Sequence, residues 1–285
     1  KEKQDVEKDY KTILTEKKLD ALVKKLKKSK RFSIDLETTS VQPMEADIVG
    51  LSFSNKADSG WYIPIQYLEK EKNNFGDDDL FVVLEKLKSV LEDDSILKTG
   101  QDIKYDALIL KRFGVTLKGI EFDTMIAAHL LNPAARSLKL NTLSLEHLNY
   151  EMVPIEELIG KGRNLITMDQ VPFEKASFYA IEDADIAFQL TELFETRLKE
   201  AELYEFFSTI EIPLIPVLLE MEYEGTFVDS VLLKEMSEEI GKKLDGLISD
   251  IHHLAGTEFN INSTQQLANI LFDILELPQI KKRST

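Results

Sequence analysis

Three β-like runs set close together constrain this chain most: Phe32 to Leu36, Asp47 to Ser54 and Trp61 to Ile65, separated by the short turn segments Ser40 to Glu45 and Asn55 to Gly60. Runs of apolar and aromatic residues bounded by turn formers and this near in sequence predict an antiparallel meander. From Asp77 to Leu91 the apolar period changes to that of a helix. A short strand follows at Ile96 to Thr99, then a helix from Asp102 to Phe113. A meander followed by alternating strand and helix predicts an α/β fold, a mixed sheet flanked by helices. Asp123 to Leu131 and Asn141 to Leu148 read as helices, and a long helical pattern over about Phe173 to Leu203 closes a first domain, residues 1–203. Ahead of the meander, residues 15–30 form an amphipathic helix capped by Thr15, with Leu19, Leu22, Val23 and Leu26 as its stripe and a lysine-rich face that reads as solvated.

Residues 204–285 are expected to be a second, mainly helical domain. Gly225 is a turn glycine before the short β-like run Thr226 to Asp229, a helix spans Val231 to Leu254, and a last capped helix starts at Asn262 or Ser263 and stops at Pro278. Lys281 to Thr285 resemble a cut linker. With Lys1 in place of a methionine, the chain reads as a piece of something longer.

Composition excludes several classes. There is no cysteine among the 285 residues, so disulfides, thiolate zinc sites and cysteine nucleophiles are absent, and any metal must sit on oxygen or imidazole. No run reaches the roughly 18 apolar residues of a membrane span and no signal peptide opens the chain, so a cytoplasmic protein away from membranes is expected. A net charge of −16 argues against nucleic-acid binding through a broad basic surface. It is compatible with a nuclease whose carboxylates hold cations that in turn meet phosphate.

Three short motifs carry that chemistry. In Ser33-Ile34-Asp35-Leu36-Glu37 the period of a strand puts Asp35 and Glu37 on one face. Like charges set side by side there are costly without a cation, although Asp-x-Glu alone also describes a solvated strand edge. Gly100-Gln101-Asp102-Ile103-Lys104-Tyr105-Asp106 runs from a strand into a helix; Asp102 reads as a helix cap, whereas Asp106 lies a turn further in among apolar residues. In Tyr179-Ala180-Ile181-Glu182-Asp183 a phenol and a carboxylate stand one turn apart, a spacing suited to orienting water beside a cation. A core tyrosine next to a surface aspartate is the bland reading of that last motif.

Taken in order, the motifs resemble the DEDD exonucleases in their tyrosine-bearing branch. The flanking stretches Phe122 to Met125, Leu130 to Asn132, Ile159 to Gly162, Tyr179 to Asp185, Glu211 to Leu218 and Phe259 to Leu267 resemble the proofreading domain and thumb helices of family A DNA polymerases. That resemblance implies a ribonuclease-H-like sheet and two-metal hydrolysis of phosphodiester bonds from 3′ ends, releasing nucleoside monophosphates. Asp35, Glu37, Asp106 and Asp183 would hold two divalent cations, Mg²⁺ with Mn²⁺ or Zn²⁺ as alternatives, and Tyr179 would join them in catalysis. The implied partner is DNA, as single-stranded 3′ ends and primer termini, with the remainder of the polymerase covalently attached and the whole monomeric. Val41, Gln101, Asp102, Lys104, Arg136, Ile155, Lys161 and Arg163 are the candidates for contact with the substrate strand. The family usually has asparagine where Asp102 stands and often leucine where Val41 stands. No palm or fingers motif follows, so the fragment is not expected to polymerise. An RNA exonuclease of the ribonuclease D type and a catalytically silent scaffold are the alternatives.

Overall fold

The computed structural model describes residues 7–67, 75, 78–162 and 165–278. Its elements are β1 (Asp9–Thr12), α1 (Glu16–Leu26), β2 (Arg31–Thr38), β3 (Ile48–Lys56), β4 (Ser59–Pro64), α2 (Asp79–Leu91), β5 (Leu97–Gly100), α3 (Ile103–Arg112), β6 (Ile120–Asp123) and α4 (Thr124–Leu131). There follow α5 (Leu140–Leu143) with a π turn at Ser144–Leu148, α6 (Glu156–Ile159), α7 (Phe173–Glu200), α8 (Tyr204–Phe206) with a π turn at Phe207–Glu211, and α9 (Ile212–Glu224). The chain continues with α10 (Ser230–Ala255) and α11 (Thr264–Ala268), which runs into a π turn at Asn269–Ile274.

The strands form one six-stranded sheet in the order β1-β4-β3-β2-β5-β6. The meander β2-β3-β4 is antiparallel, as its short turns dictate, whereas β5 and β6 join parallel to β2 and β1 pairs parallel with β4. Helix crossovers make the parallel pairings possible. The expected α/β class, a ribonuclease-H-like mixed sheet flanked by helices, is therefore correct. Two strands escape the sequence reading. β1 and β6 are four-residue edge strands whose sequences, Asp-Tyr-Lys-Thr and Ile-Glu-Phe-Asp, carry no apolar run, and only their neighbours make them strands.

Caps place the helices. Thr15 accepts a hydrogen bond from the Lys18 backbone N–H, Asp78 from that of Phe81, and Asp123 from those of Met125 and Ile126. The core is continuous from Leu19, Leu22 and Leu26 of α1 through Ile34, Leu51 and Phe53 of the sheet to Leu190 and Phe194 of α7. Gly60 lets α7 approach the sheet, and Gly50 makes room within the sheet for the Tyr62 ring. A Cβ on Gly60 would lie 2.4 Å from Ile181 Cγ2 and 2.9 Å from the Phe53 carbonyl oxygen, and one on Gly50 would lie 2.3 Å from the Tyr62 hydroxyl.

The chain separates into two compact units, Lys1–Glu224 and Gly225–Thr285. The first compact unit therefore takes in α8 and α9, which follow residue 203. Phe207 packs against Phe122 of β6 with ring centroids 4.6 Å apart and planes tilted by 51°, and Ile212, Ile215 and Leu219 of α9 are buried in the first unit's core. Apolar burial, which a helical pattern does not locate, assigns these helices to the first unit. In the second unit no strand forms over residues 225–229, contrary to the β-like reading, because among its described residues there is no other strand to pair with it. Ser263 caps α11 as expected. Lys281 to Thr285 lie outside the described residues.

Candidate active site

Asp35 and Glu37 sit on one face of β2, opposite Ser52 and Gly50 of β3. Both partners are small, and the Tyr62 ring lies over Gly50. The strand register shifts just after Glu37, a bulge that ends the regular ladder at the site. On the next strand Tyr62 pairs with Ser52, so its ring shares the face of Asp35, and it is 1% exposed.

α7 supplies the remaining wall. One carboxylate oxygen each from Asp35, Glu37 and Asp183 lies within 4.8 Å of the others, a spacing that a single cation can span. Tyr179, one turn before Asp183, partners the Asp183 carboxylate through its hydroxyl. Its ring packs against the satellite cluster of Val49, Met168, Val171 and Ala176, so the segment before α7 fixes the tyrosine's position. Asp106 on α3 is 2% exposed and stands outside the triplet, close enough to Asp35 for that carboxylate's charge to raise it.

Electrostatics define what this arrangement needs. Burial pushes Asp35 up to about 7. Glu37 is raised well above the carboxylate range by burial and then by Asp35; Asp183 by burial, Asp35 and Glu37; and Asp106 by burial, Asp35 and Asp102. Glu37 Oε1 and Asp106 Oδ2 are buried without a hydrogen-bond partner in the protein. Four converging carboxylates, two with orphaned oxygens, are the donor set of a hard divalent cation, which would offset both the repulsion and the missing bonds. These residues fit divalent metal.

The structure treats the expected substrate contacts unequally. Asp102 does not cap α3: its side chain makes no capping bond, its backbone is left-handed at φ 54°, and Asp123 Oδ2 accepts the Ile103 N–H instead at 2.8 Å. Aspartate tolerates that conformation through its short polar side chain. Asp102 is thereby left beside Asp106, raising its proton affinity. Gln101 is absorbed by the fold, donating from Nε2 to the Leu138 carbonyl at 2.7 Å and accepting from Thr124. Lys104 pairs with Glu222 of α9. Arg136 and Lys161 are exposed, and among the described residues neither is in an ion pair. Val41 and Ile155 are exposed apolar side chains, at 86% and 40%. Arg163 lies outside the described residues.

Two supports of the site were missed. Tyr62 was invisible because its relation to Asp35 exists only through strand register. Glu182 is 1% exposed, and its carboxylate accepts from the Tyr150 hydroxyl at 2.6 Å and the Val153 N–H at 2.8 Å, with Lys8 Nζ at 3.8 Å. Next to it, Asp185 accepts from the Tyr10 hydroxyl at 2.7 Å and the Asp58 N–H at 2.9 Å. These bonds set the rotation of α7 and hence the direction of Asp183. A carboxylate on the apolar face of a long helix was the available signal.

A mixed sheet with carboxylates converging beside its central strand defines the ribonuclease-H-like class of metal-dependent nucleases. The chain belongs to the 3′-5′ exonuclease family, whose sequence profile matches residues 10–199, and DNA polymerase family A matches residues 230–285. This is a family of hydrolases that use divalent metal. DNA polymerase I of Pseudomonas aeruginosa is 36% identical over 280 residues, covering 97% of this chain and 30% of that protein. The chain thus spans about 30% of that relative's length. Among solved structures, the POL domain of Pol1 from M. smegmatis, in complex with DNA primer-template and dNTP, matches with a TM-score of 0.72 at 24% identity, over 96% of this chain and 42% of that one. Brucella melitensis NrnC bound to pGG matches with a TM-score of 0.57 at 19% identity, over 79% of this chain and 99% of that one. At these identities both show the fold.

Proposed function

We propose that this chain is the proofreading part of a bacterial DNA polymerase I, trimming single-stranded 3′ ends and primer termini of DNA to nucleoside monophosphates with two Mg²⁺ ions, Mn²⁺ or Zn²⁺ being able to replace them. The observation that carries the reading is the meeting of Asp35, Glu37 and Asp183 within 4.8 Å beside the buried Asp106. Asp35, Glu37 and Asp183 would hold one cation, and Asp35 with Asp106 the other. When bound, such ions polarise the phosphate, activate water and neutralise the charge that develops on the leaving oxygen. Burial and Asp183 hold the Tyr179 phenol well above its ordinary range, so it stays protonated and is no base. Its proton engages Asp183, which leaves an oxygen lone pair to accept from, and so orient, the attacking water. Glu37 lines the same space from the sheet side. Arg136 and Lys161 are free to meet strand phosphates, Val41 and Ile155 to pack on the terminal bases, and Asp102 to disfavour phosphate where a neutral group would accept it.

In this reading residues 1–203 are the exonuclease domain and 204–285 begin the polymerase region with its thumb helices, in a cytoplasmic, monomeric parent protein. No helix among the described residues is long and apolar enough to cross a membrane. The test is degradation of matched DNA and RNA oligonucleotides with Mg²⁺ by the chain and its Asp35→Ala variant. Loss of DNA hydrolysis in the variant is expected, and full retention overturns the assignment. Faster hydrolysis of RNA would move it to a ribonuclease D-like enzyme, and absence of both hydrolysis and metal binding to a silent scaffold.

A further inference from the structure

The lysine-rich segment of α1 is unexplained by the exonuclease site. Between residues 17 and 31 the sequence carries Lys17, Lys18, Lys24, Lys25, Lys27, Lys28, Lys30 and Arg31 against one acid, Asp20, in a protein of net charge −16. Lysines in the last turn of a helix suit its dipole, but that accounts for Lys24 and Lys25 at most. Among the described residues Lys24, Lys25, Lys27, Lys28, Lys30 and Lys56 make no ion pair.

Three of them, Lys25, Lys28 and Lys30, line a cavity of about 540 Å³ where the end of α1 meets the β3–β4 hairpin and α7, with Arg31, Asn55 and one acid, Glu192, also in its wall. The wall is built: Asn55 Nδ2 donates to Ser29 Oγ at 2.8 Å, and Ser29 Oγ to the Lys25 carbonyl at 3.1 Å. Arg31 is held by Glu121 and Glu195 and is neutralised. The lysines are not, and Lys25 loses proton affinity to burial and to the like charges of Lys11 and Lys56. A second cavity of about 530 Å³ shares Lys25 and adds Lys11 and Lys18, so the basic track continues along α1. Lys11 pairs with Asp9, and Lys25 Nζ lies 4.1 Å from the centre of the Trp61 ring, so Lys18, Lys28 and Lys30 are the lining lysines with neither kind of partner among the described residues. Spread over two open cavities, they match a repeating anion better than one small ligand.

We propose that this track is a second contact for the phosphodiester backbone of the DNA strand, removed from the carboxylate site and blind to sequence. The inference rests on the exonuclease reading. Arg31 at the cavity and Asp35 at the site are four residues apart on β2, roughly 13 Å at 3.3 Å per residue. Ser33 between them is buried and donates to the Ala184 carbonyl, so α7 closes the direct line. A strand that reaches both passes round it and is longer than the roughly four nucleotides that would span about 13 Å at about 3.4 Å each.

The test compares the chain with its Lys25→Gln/Lys28→Gln/Lys30→Gln variant, and with a Lys88→Gln/Lys111→Gln/Lys118→Gln variant that removes the same charge elsewhere. Binding of a single strand of about 20 nucleotides is measured against salt in EDTA, where hydrolysis is off. The cavity variant should show a log–log salt slope shallower by about 2, at 0.7 per lost lysine, and roughly a hundredfold weaker binding at 0.1 M salt. Its hydrolysis of a trinucleotide, too short to reach the track, should match that of the parent chain. An unchanged slope, or an equal change in the other variant, overturns the proposal. The expected slope change in a protein that hydrolyses nothing leaves the contact standing and removes the exonuclease reading instead.

Discussion

Replacing Asp35 by asparagine should make the metal-free protein more stable at pH 8, although it destroys the site. In the folded chain Asp35 is pushed up to about 7 by burial, against an ordinary value of 3.8. A carboxyl raised on folding contributes stability that is fully present below its unfolded value and is lost as pH rises through the folded one. The metal-free protein should therefore lose stability from about pH 4 to pH 7 and beyond, with Glu37, Asp183 and Asp106, all raised as well, extending the loss upward. Between 3.8 and about 7, at about 1.36 kcal/mol for each tenfold change in proton affinity, the upper bound for Asp35 is about 4 kcal/mol. Relaxation and water entry in the ionised state reduce that to an expected 2 kcal/mol or so. For a unit of this size, this corresponds to a rise in Tm of roughly 4–8 °C. The assay is thermal unfolding followed by circular dichroism at pH 5.5 and 8, in EDTA and with Mn²⁺. The parent chain should gain more from Mn²⁺ at pH 8 than at pH 5.5, because binding needs the carboxylates deprotonated. The variant should start higher in EDTA at pH 8 and gain little. A variant less stable than the parent in EDTA at pH 8, or a parent whose stability is flat with pH, would refute the claim that these acids are held together against their charge.

Three further outcomes follow from the site's supports. Tyr179→Phe should lower kcat roughly a hundredfold on single-stranded DNA while leaving thermal stability within about 1 kcal/mol; since the hydroxyl lowers Asp183's proton affinity, the acid limb of the pH–rate profile should also move up. Gly60→Ala places a Cβ against Ile181 Cγ2 and the Phe53 carbonyl oxygen. The backbone oxygen cannot swing aside, so unfolding in urea should show a loss of about 1–3 kcal/mol, with a fall in kcat as α7 shifts from β2. Glu182→Ala strands the Tyr150 hydroxyl and the Val153 N–H, which should cost about 2–4 kcal/mol and lower kcat far more than it changes KM. A Glu182→Ala enzyme with unaltered kcat would show that Asp183 is aimed by something else.

The legible part of this protein was local. The meander, the long helices and the caps at Thr15 and Ser263 are written in apolar period and in side chains that bond a neighbouring backbone. What failed was decided at a distance. Asp102 looked like the cap of α3, yet Asp123, twenty-one residues on in sequence, takes that bond because β5 and β6 lie side by side. Gln101 looked free for substrate and is tied to Leu138 and Thr124. That the helices after residue 203 pack with the first compact unit was likewise not legible, because Phe207 and Ile212 find apolar partners distant in sequence.

By itself the sequence determined local placement: strand period puts Asp35 and Glu37 on one face, and a helical turn ties Tyr179 to Asp183. Each motif taken alone was as well explained by a solvated edge, a cap or a core tyrosine. Only the tertiary structure decided that the motifs meet, that two of their oxygens are buried without partners, and that Tyr62 and Glu182 stand behind them. The reason is physical. A residue's face follows from its neighbours in the chain, but its proton affinity, and with it the need for a cation, follows from what folding packs around it.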